Sequence, residues 1–308
     1  MQIRQLTIST HAEESFPDMM NPQFPYIPLY ADLSAYVEGY IPWHWHKYIE
    51  MLYILEGSLK ISVSGDNRIF LKEGDGCYIA PGTLHEMLPE PGKNCIFITQ
   101  IFDQSLIAGK PYSIFEHKYV FPVLDCSLLK IAKFKQEPDG SSPITNMLKQ
   151  TYLVSEKSEI GYEFSIRNIL SDIWLQFYKD MSRTLKASYN TEGDLSEERI
   201  KKMLIYIEEN YQDDIQIADI AQAGNVSSRE CHRCFQANLG MTPFNYLINL
   251  RIRIAKKMLV STNDTVTSIS ADTGFSSSSY FTRVFKNLTG MTPREFRKEN
   301  SPHEEDET

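Results

Sequence analysis

"SISADTGFSSSSYFTRVFKNLTGMTPREFR", residues 268–297, decides the reading of this chain because most of it occurs twice. "RCFQANLGMTPFNY" (233–246) repeats "RVFKNLTGMTPREF" (283–296) at an offset of fifty residues, and "IAQAGNVSS" (220–228) repeats "ISADTGFSS" (269–277) at forty-nine. Such self-similarity marks one supersecondary unit used twice. Each copy reads as a short helix, a tight turn and a second helix. Gly274 stands where the turn needs a positive φ, and Asn225, the best substitute for glycine there, takes that place in the first copy. Ser227, and Ser276 or Ser277, then supply N-caps for the following helices.

Helical periodicity predicts a core face made of Cys231, Cys234, Phe235 and Leu239 in the first copy and Phe281, Val284, Phe285 and Leu288 in the second. The opposite faces carry Arg229, His232, Arg233 and Gln236, and Ser278, Ser279, Thr282, Arg283 and Lys286. These are donors suited to base edges and phosphates, so both second helices are expected to read double-stranded DNA. Between the copies Thr242 and Pro243 open a helix as N-cap and first-turn proline. Along it Leu247, Leu250, Ile254 and Met258 share one side, with Arg251, Arg253, Lys256 and Lys257 elsewhere. That helix is expected to hold the two readers at a fixed separation.

The net charge of -9 hides an uneven distribution. Residues 1–195 carry 17 Lys+Arg against 24 Asp+Glu, residues 196–299 carry 14 against 12, and the last nine carry none against 4. The segment with the repeat is therefore slightly basic, as a DNA partner requires. The closing residues, 300–308, are read as a solvated acidic tail. No run has the length of a signal peptide or spanning helix, so no membrane partner and a cytoplasmic location are expected. The odd number of dispersed cysteines (Cys77, Cys95, Cys126, Cys231 and Cys234) argues for reduced thiols. "CHRC" (231–234) has the spacing of a zinc or redox pair but lies on the predicted apolar face, which favours core packing.

The first half is written in strands. "MLYILEG", "LKISVSG", "RIFLKEGD", "GCYIAPG" and "NCIFITQIF", between residues 51 and 102, are β-rich and separated by turn residues. They predict a small antiparallel barrel or jelly roll, within residues 1–140. Residues 141–182 are a helical connector with helices over 142–157 and 162–181. Phe164, Ile169, Ile173, Trp174 and Phe177 crowd one side of the second, which suggests a dimer seam. Residues 183–198 are polar, contain Gly193, and read as a linker to the helical domain at 199–299. The fold class is α+β, an antiparallel barrel with a helical connector followed by an all-α domain.

Residues 200–298 resemble the paired helix-turn-helix domain of the AraC/XylS transcriptional regulators. The second copy carries "GF", "S-Y-F-x-R-V-F-K", "G-M-T-P" and the closing "F-R" in register. The first 110 residues resemble the cupin-type effector-binding domain of many such regulators. The resemblance implies a homodimer whose barrel senses a small molecule and whose helical domain binds promoter DNA, with RNA polymerase as a further candidate partner. Asn225, Cys231 and Cys234 depart from the family pattern in the first copy.

"PWHWHKYIE" (42–50) sets His44 and His46 one residue apart, with Glu50 four residues on and His85 beyond "PGT" (81–83). Strand alternation puts the two histidines on one face and Trp43 and Trp45 on the other. Cupin enzymes hold a metal through such a pattern, which makes His44, His46, Glu50 and His85 candidate ligands for Fe, Mn, Ni or Zn. Gly39, Pro81 and Pro89 depart from the enzyme spacing. In regulators similar residues line the pocket for the effector, and that is the expectation adopted: the four residues bind a sugar-like effector, with no cofactor and no catalysis. The alternative is a metal-dependent cupin enzyme, an oxygenase or sugar isomerase, fused to a DNA-binding domain.

Overall fold

The run from Ile49 to Val63 is one continuous strand, although the sequence suggests two with a turn at Glu56-Gly57. Gly57 has φ +78°, and the register of pairing slips by one residue between Ile54 and Glu56, so the chain bulges there and continues. A Cβ at Gly57 would run into the Asn94 carbonyl.

A computed structural model describes residues 20–36, 38–65, 67–110, 113–135, 142–188 and 195–300. The described strands are β1 (Tyr26–Asp32), β2 (Ile41–His44), β3 (Ile49–Val63), β4 (Asn67–Lys72), β5 (Gly76–Ile79), β6 (His85–Pro89), β7 (Cys95–Phe102) and β8 (Ile131–Lys133). All described pairings are antiparallel. β3 is the hub: its first part pairs with β7 and β5, and its second part, beyond the bulge, with β4 and β6. The sheet thereby folds round an apolar interior of Leu52, Ile54, Leu59, Ile61, Leu71, Met87 and Phe97.

Short helical turns α1 (Ser105–Ala108) and α2 (Phe121–Leu124) lead to the connector helices α3 (Pro143–Lys157) and α4 (Tyr162–Asp180). These bury a second apolar cluster on the outer face of the sheet, including Tyr53, Tyr78, Leu148, Leu170, Trp174 and Phe177. Trp174 and Phe177 are therefore not available to a dimer seam. Trp174 is 2% exposed and its indole N–H donates to the Tyr119 carbonyl at 2.9 Å, whereas Phe164 is 73% exposed. Trp174 and Phe177 are buried within their own subunit; the exposed apolar groups of this region are Leu153, Ile160, Phe164 and Leu175.

The chain divides into two units at Leu195–Ser196. The polar stretch 183–198 is not an extended linker: α5 (Ser182–Ser188) and α6 (Leu195–Asn210) occupy its two ends, Leu185 is buried in the first unit, and 189–194 lie outside the described residues. So does the tail at 301–308. The second unit continues with α7 (Ile217–Ala223), α8 (Ser228–Leu239), α9 (Pro243–Ser261), α10 (Val266–Asp272), α11 (Ser278–Thr289) and α12 (Pro293–Asn300). Among the described residues no helix is long and apolar enough to cross a membrane.

Local chemistry explains these boundaries. Ser227, Thr242 and Ser277 accept at their hydroxyls from the amides of Glu230, Asn245 and Tyr280, so each caps the helix that follows. Asn225 and Gly274 have φ +53° and +80° at equivalent turns. Two expectations for the core need correction. Leu288 is 52% exposed, so the α11 core rests on Phe281 and Phe285. Arg251 and Arg253 are buried rather than surface cations. Arg251 donates from Nε to the Tyr211 carbonyl and from Nη2 to the Asp213 carbonyl, each at 2.7 Å, tying the segment between α6 and α7 to the middle of α9.

Replacing Gly274 by Ala should destabilise the second unit by about 1–3 kcal/mol, because it adds left-handed strain to a Cβ that would lie 2.6 Å from the Tyr211 carbonyl oxygen. Asn225→Gly should be tolerated. Denaturant unfolding of the full chain followed by circular dichroism measures both. Trp174→Ala should cost about 3–5 kcal/mol by cavity formation, seen as loss of the folded first unit rather than as a change of oligomeric state.

Candidate functional site

In the barrel, β2 delivers His44, the bend after it His46, β3 Glu50 and the start of β6 His85. His44 and His85 are directly paired across strands, which brings their ring centroids to 4.0 Å. All four side chains are buried, at 0–5% exposure. Their outer ring nitrogens are committed: Nδ1 of His44, His46 and His85 lies 2.9, 3.0 and 2.8 Å from the carbonyls of Pro42, Tyr48 and Thr83. A carbonyl only accepts, so each Nδ1 carries the proton and the Nε2 atoms are left facing one another and Glu50.

Glu50 Oε2 lies 3.0 Å from His46 Nε2 and 3.5 Å from His85 Nε2, and Glu50 Oε1 accepts from the Thr99 hydroxyl at 2.8 Å. Burial by itself would raise the Glu50 pKa, but hydrogen bonding and charge from His46 and His85 outweigh it and hold the carboxyl well below its ordinary range. His44 is depressed well below the usual imidazole value by burial, reinforced by His85 and His46. With Nδ1 already protonated, the contact between His46 Nε2 and Glu50 closes only when a second proton or another cation sits between the two acceptors. His85 Nε2 is buried, and its 3.5 Å contact with Glu50 Oε2 lies at the limit of hydrogen bonding.

One ring nitrogen from each of the three histidines lies within 4.8 Å of the others. Two nitrogens bound to one tetrahedral ion stand about 3.4 Å apart, so the three rings would have to draw together to close on one ion. The donor set, three imidazoles and a carboxylate, fits a divalent transition metal. The three imidazole centroids lie 4.0–6.2 Å apart.

The candidate DNA readers also fall as their spacing demands. Arg229, His232, Arg233 and Gln236 are exposed on α8, opposite the buried Cys231, Cys234 and Phe235. On α11 Ser279, Arg283 and Lys286 are exposed, while Ser278 and Thr282 are half-buried and Thr282 spends its hydroxyl on the Ser278 carbonyl at 2.8 Å. The guanidinium of Arg283 lies 5.4 Å from the Tyr280 ring centroid. That of Arg233 is instead gripped by Glu230, through Nε to Oε2 at 2.8 Å and Nη2 to Oε1 at 2.6 Å. Sequence reasoning missed Glu230 and Thr99. The first was legible as an i, i+3 neighbour of Arg233; the second emerges only from the register of β7 on β3, which sets Thr99 opposite Leu52 and diagonal to Glu50.

Comparison with known proteins adds the family. A helix-turn-helix domain model matches residues 220–299 and a cupin domain model matches residues 36–99. The uncharacterised HTH-type transcriptional regulator YdeC of Bacillus subtilis is 30% identical over 270 residues, 87% of this chain and 90% of that protein. The chain belongs to the AraC family of transcriptional regulators. The HTH-type transcriptional activator RhaS of Mannheimia succiniciproducens is 29% identical to this AraC-type regulator over 154 residues, half of this chain and 54% of that one. Among solved structures, an AraC-type regulator from Chromobacterium violaceum matches 35% of the chain and 96% of its own at 30% identity and TM-score 0.34. Apo ToxT from Vibrio cholerae matches 90% and 98% at 12% identity and TM-score 0.46.

Arg283→Ala should cost about 1–3 kcal/mol of specific DNA affinity at fixed salt. Titration of a duplex selected by the wild-type regulator from a random pool measures it; equal affinity for variant and wild type would remove α11 from the interface.

Proposed function

We propose that this regulator binds promoter DNA through α8 and α11 as a homodimer in the cytoplasm, acts by binding rather than turnover, and takes its signal at His44, His46, Glu50 and His85. One observation carries the barrel assignment. Four polar side chains converge at 0–5% exposure beside an apolar interior, and His85 Nε2 has a contact with Glu50 that is long, at 3.5 Å. Burying such groups costs free energy that an aliphatic core would avoid, so the arrangement is supported as a receptor for a polar ligand group. The donors of the cluster suit an oxygen of a carboxylate or hydroxyl, including a hydroxyl of a sugar-like effector.

The contact between His46 Nε2 and Glu50 Oε2 needs a proton or a cation between them, and the second option supports a further reading of the same site. A divalent cation held by the three Nε2 atoms and Glu50 would satisfy every inward lone pair. When bound it would supply a Lewis-acidic point to which an anionic or hydroxylated effector could attach. Thr99 and the carbonyls of Pro42, Tyr48 and Thr83 would fix the ligands' orientation under either reading.

Thermal-shift screening of small carboxylic acids, polyols and divalent metals should find a class that stabilises the wild type, a saturating ligand adding about 2.7 kcal/mol at a hundred times its Kd. Glu50→Gln and His46→Ala should abolish that shift and leave effector-free DNA binding intact. Elemental analysis of protein purified without added metal separates the two readings, since stoichiometric Fe, Mn, Ni or Zn supports the metal and its absence the bare pocket. Oxygen consumption or conversion of a bound ligand would replace both with the enzyme reading. The exposed Leu153, Ile160, Phe164 and Leu175 support a face for the second copy. The double variant Phe164→Glu with Leu175→Glu should sediment as a folded monomer, and a wild type that is itself monomeric at micromolar concentration would overturn the dimer.

A further inference from the structure

The two reading helices hold their equivalent arginines in opposite ways. At the position three residues before the arginine, α11 has Tyr280 and α8 has Glu230. Arg283, 5.4 Å from the Tyr280 centroid, keeps its positive charge and all its donors available while the ring steadies it. Arg233 forms the bidentate ion pair with Glu230, its side chain still 76% exposed. The carboxylate is fixed in turn: Glu230 Oε1 is 3.7 Å from the Sγ of Cys234, which belongs to the buried face of the helix. A larger aliphatic residue at 234 would offer no such donor.

The guanidinium of Arg233 has two donor edges, and only one of them is taken. Glu230 occupies the edge formed by Nε and Nη2, which leaves the other edge, Nη1 and Nη2, as a fork on an exposed side chain. That fork matches the O6 and N7 acceptors of guanine. The pair as a whole is neutral, so it has little attraction for a phosphate, and the fixed carboxylate repels one. A free arginine would serve either target.

We propose that Glu230 is a positioning and specificity-determining residue, which holds Arg233 as a charge-neutralised guanine reader and denies it to the phosphate backbone. The inference rests on the reading of α8 as a DNA-contacting helix. It makes the two halves of the domain unlike in kind. Arg283 on α11 contributes affinity that is sensitive to salt, and Arg233 on α8 contributes discrimination with little salt dependence.

The test uses the full-length protein and duplexes it selects from a random pool, with scrambled duplexes as the non-specific reference, each titrated over a range of KCl. Glu230→Gln keeps the backbone amide that Ser227 caps and changes only the carboxylate. It should tighten binding to scrambled DNA, steepen the salt dependence by about one unit of log K against log salt, and lower the ratio of selected to scrambled affinity about tenfold. In an Arg233→Ala background the same substitution should leave that ratio unchanged. An unchanged ratio in the single variant overturns the proposal. An equal fall in the Arg233→Ala background also overturns it, because Glu230 would then meet the DNA directly. Wild-type protein that selects no sequence at all would sink the underlying assignment of α8 together with it.

Discussion

A carboxylate with 3% exposure must be neutralised where it stands, and Glu50 organises the barrel site round that requirement. His46 and His85 approach one oxygen and Thr99 donates to the other. Those partners arrive from the segment after β2, from β6 and from β7, so the contacts of Glu50 form only when the barrel has closed. The polar cluster is accordingly a check on the whole sheet. Its imidazoles are held by backbone carbonyls on their far sides, which leaves their inward nitrogens committed to whatever enters.

The helical unit contains the cationic counterpart. Arg251 is buried in α9 and bonds two carbonyls of the segment between α6 and α7, near the turn at Gly274. A buried guanidinium with two good carbonyl acceptors fixes geometry more firmly than a lysine could, because its fork is planar. The reading helices α8 and α11 are consequently attached to one long helix whose neighbours are pinned. This is the rigidity that two-point recognition of a duplex needs.

Much of this was legible in the sequence because it depends on local rules. The repeat, the turn residues Asn225 and Gly274, the caps Ser227, Ser277 and Thr242, and the exposed donors of α8 follow from spacing alone. What escaped depends on tertiary contact. Periodicity placed Trp174 and Phe177 on an apolar face but could not say that the sheet, rather than a second subunit, covers it. Arg251 reads as a surface cation until the carbonyls of Tyr211 and Asp213 are seen beside it. For the barrel site the four residues were readable and their closeness was not, since the cross-strand pairing of His44 with His85 is a matter of register. The Glu56-Gly57 pair reads as a turn because glycine serves bulges and turns equally.

The continuous β3 also sets the order in which the molecule assembles. Its partners β4 and β5 come soon after it in sequence, but β7 lies some forty residues further on, and a contact that distant pays loop-closure entropy before any pairing rewards it. The helical unit has mostly neighbouring elements in contact and escapes that delay. On a ribosome the barrel emerges first, yet its strand hub stays without its longest partner until Cys95–Phe102 has been made. The helix-turn-helix unit is thus kinetically free of the barrel, and a lesion that slows closure of the barrel would leave the helical unit free to fold.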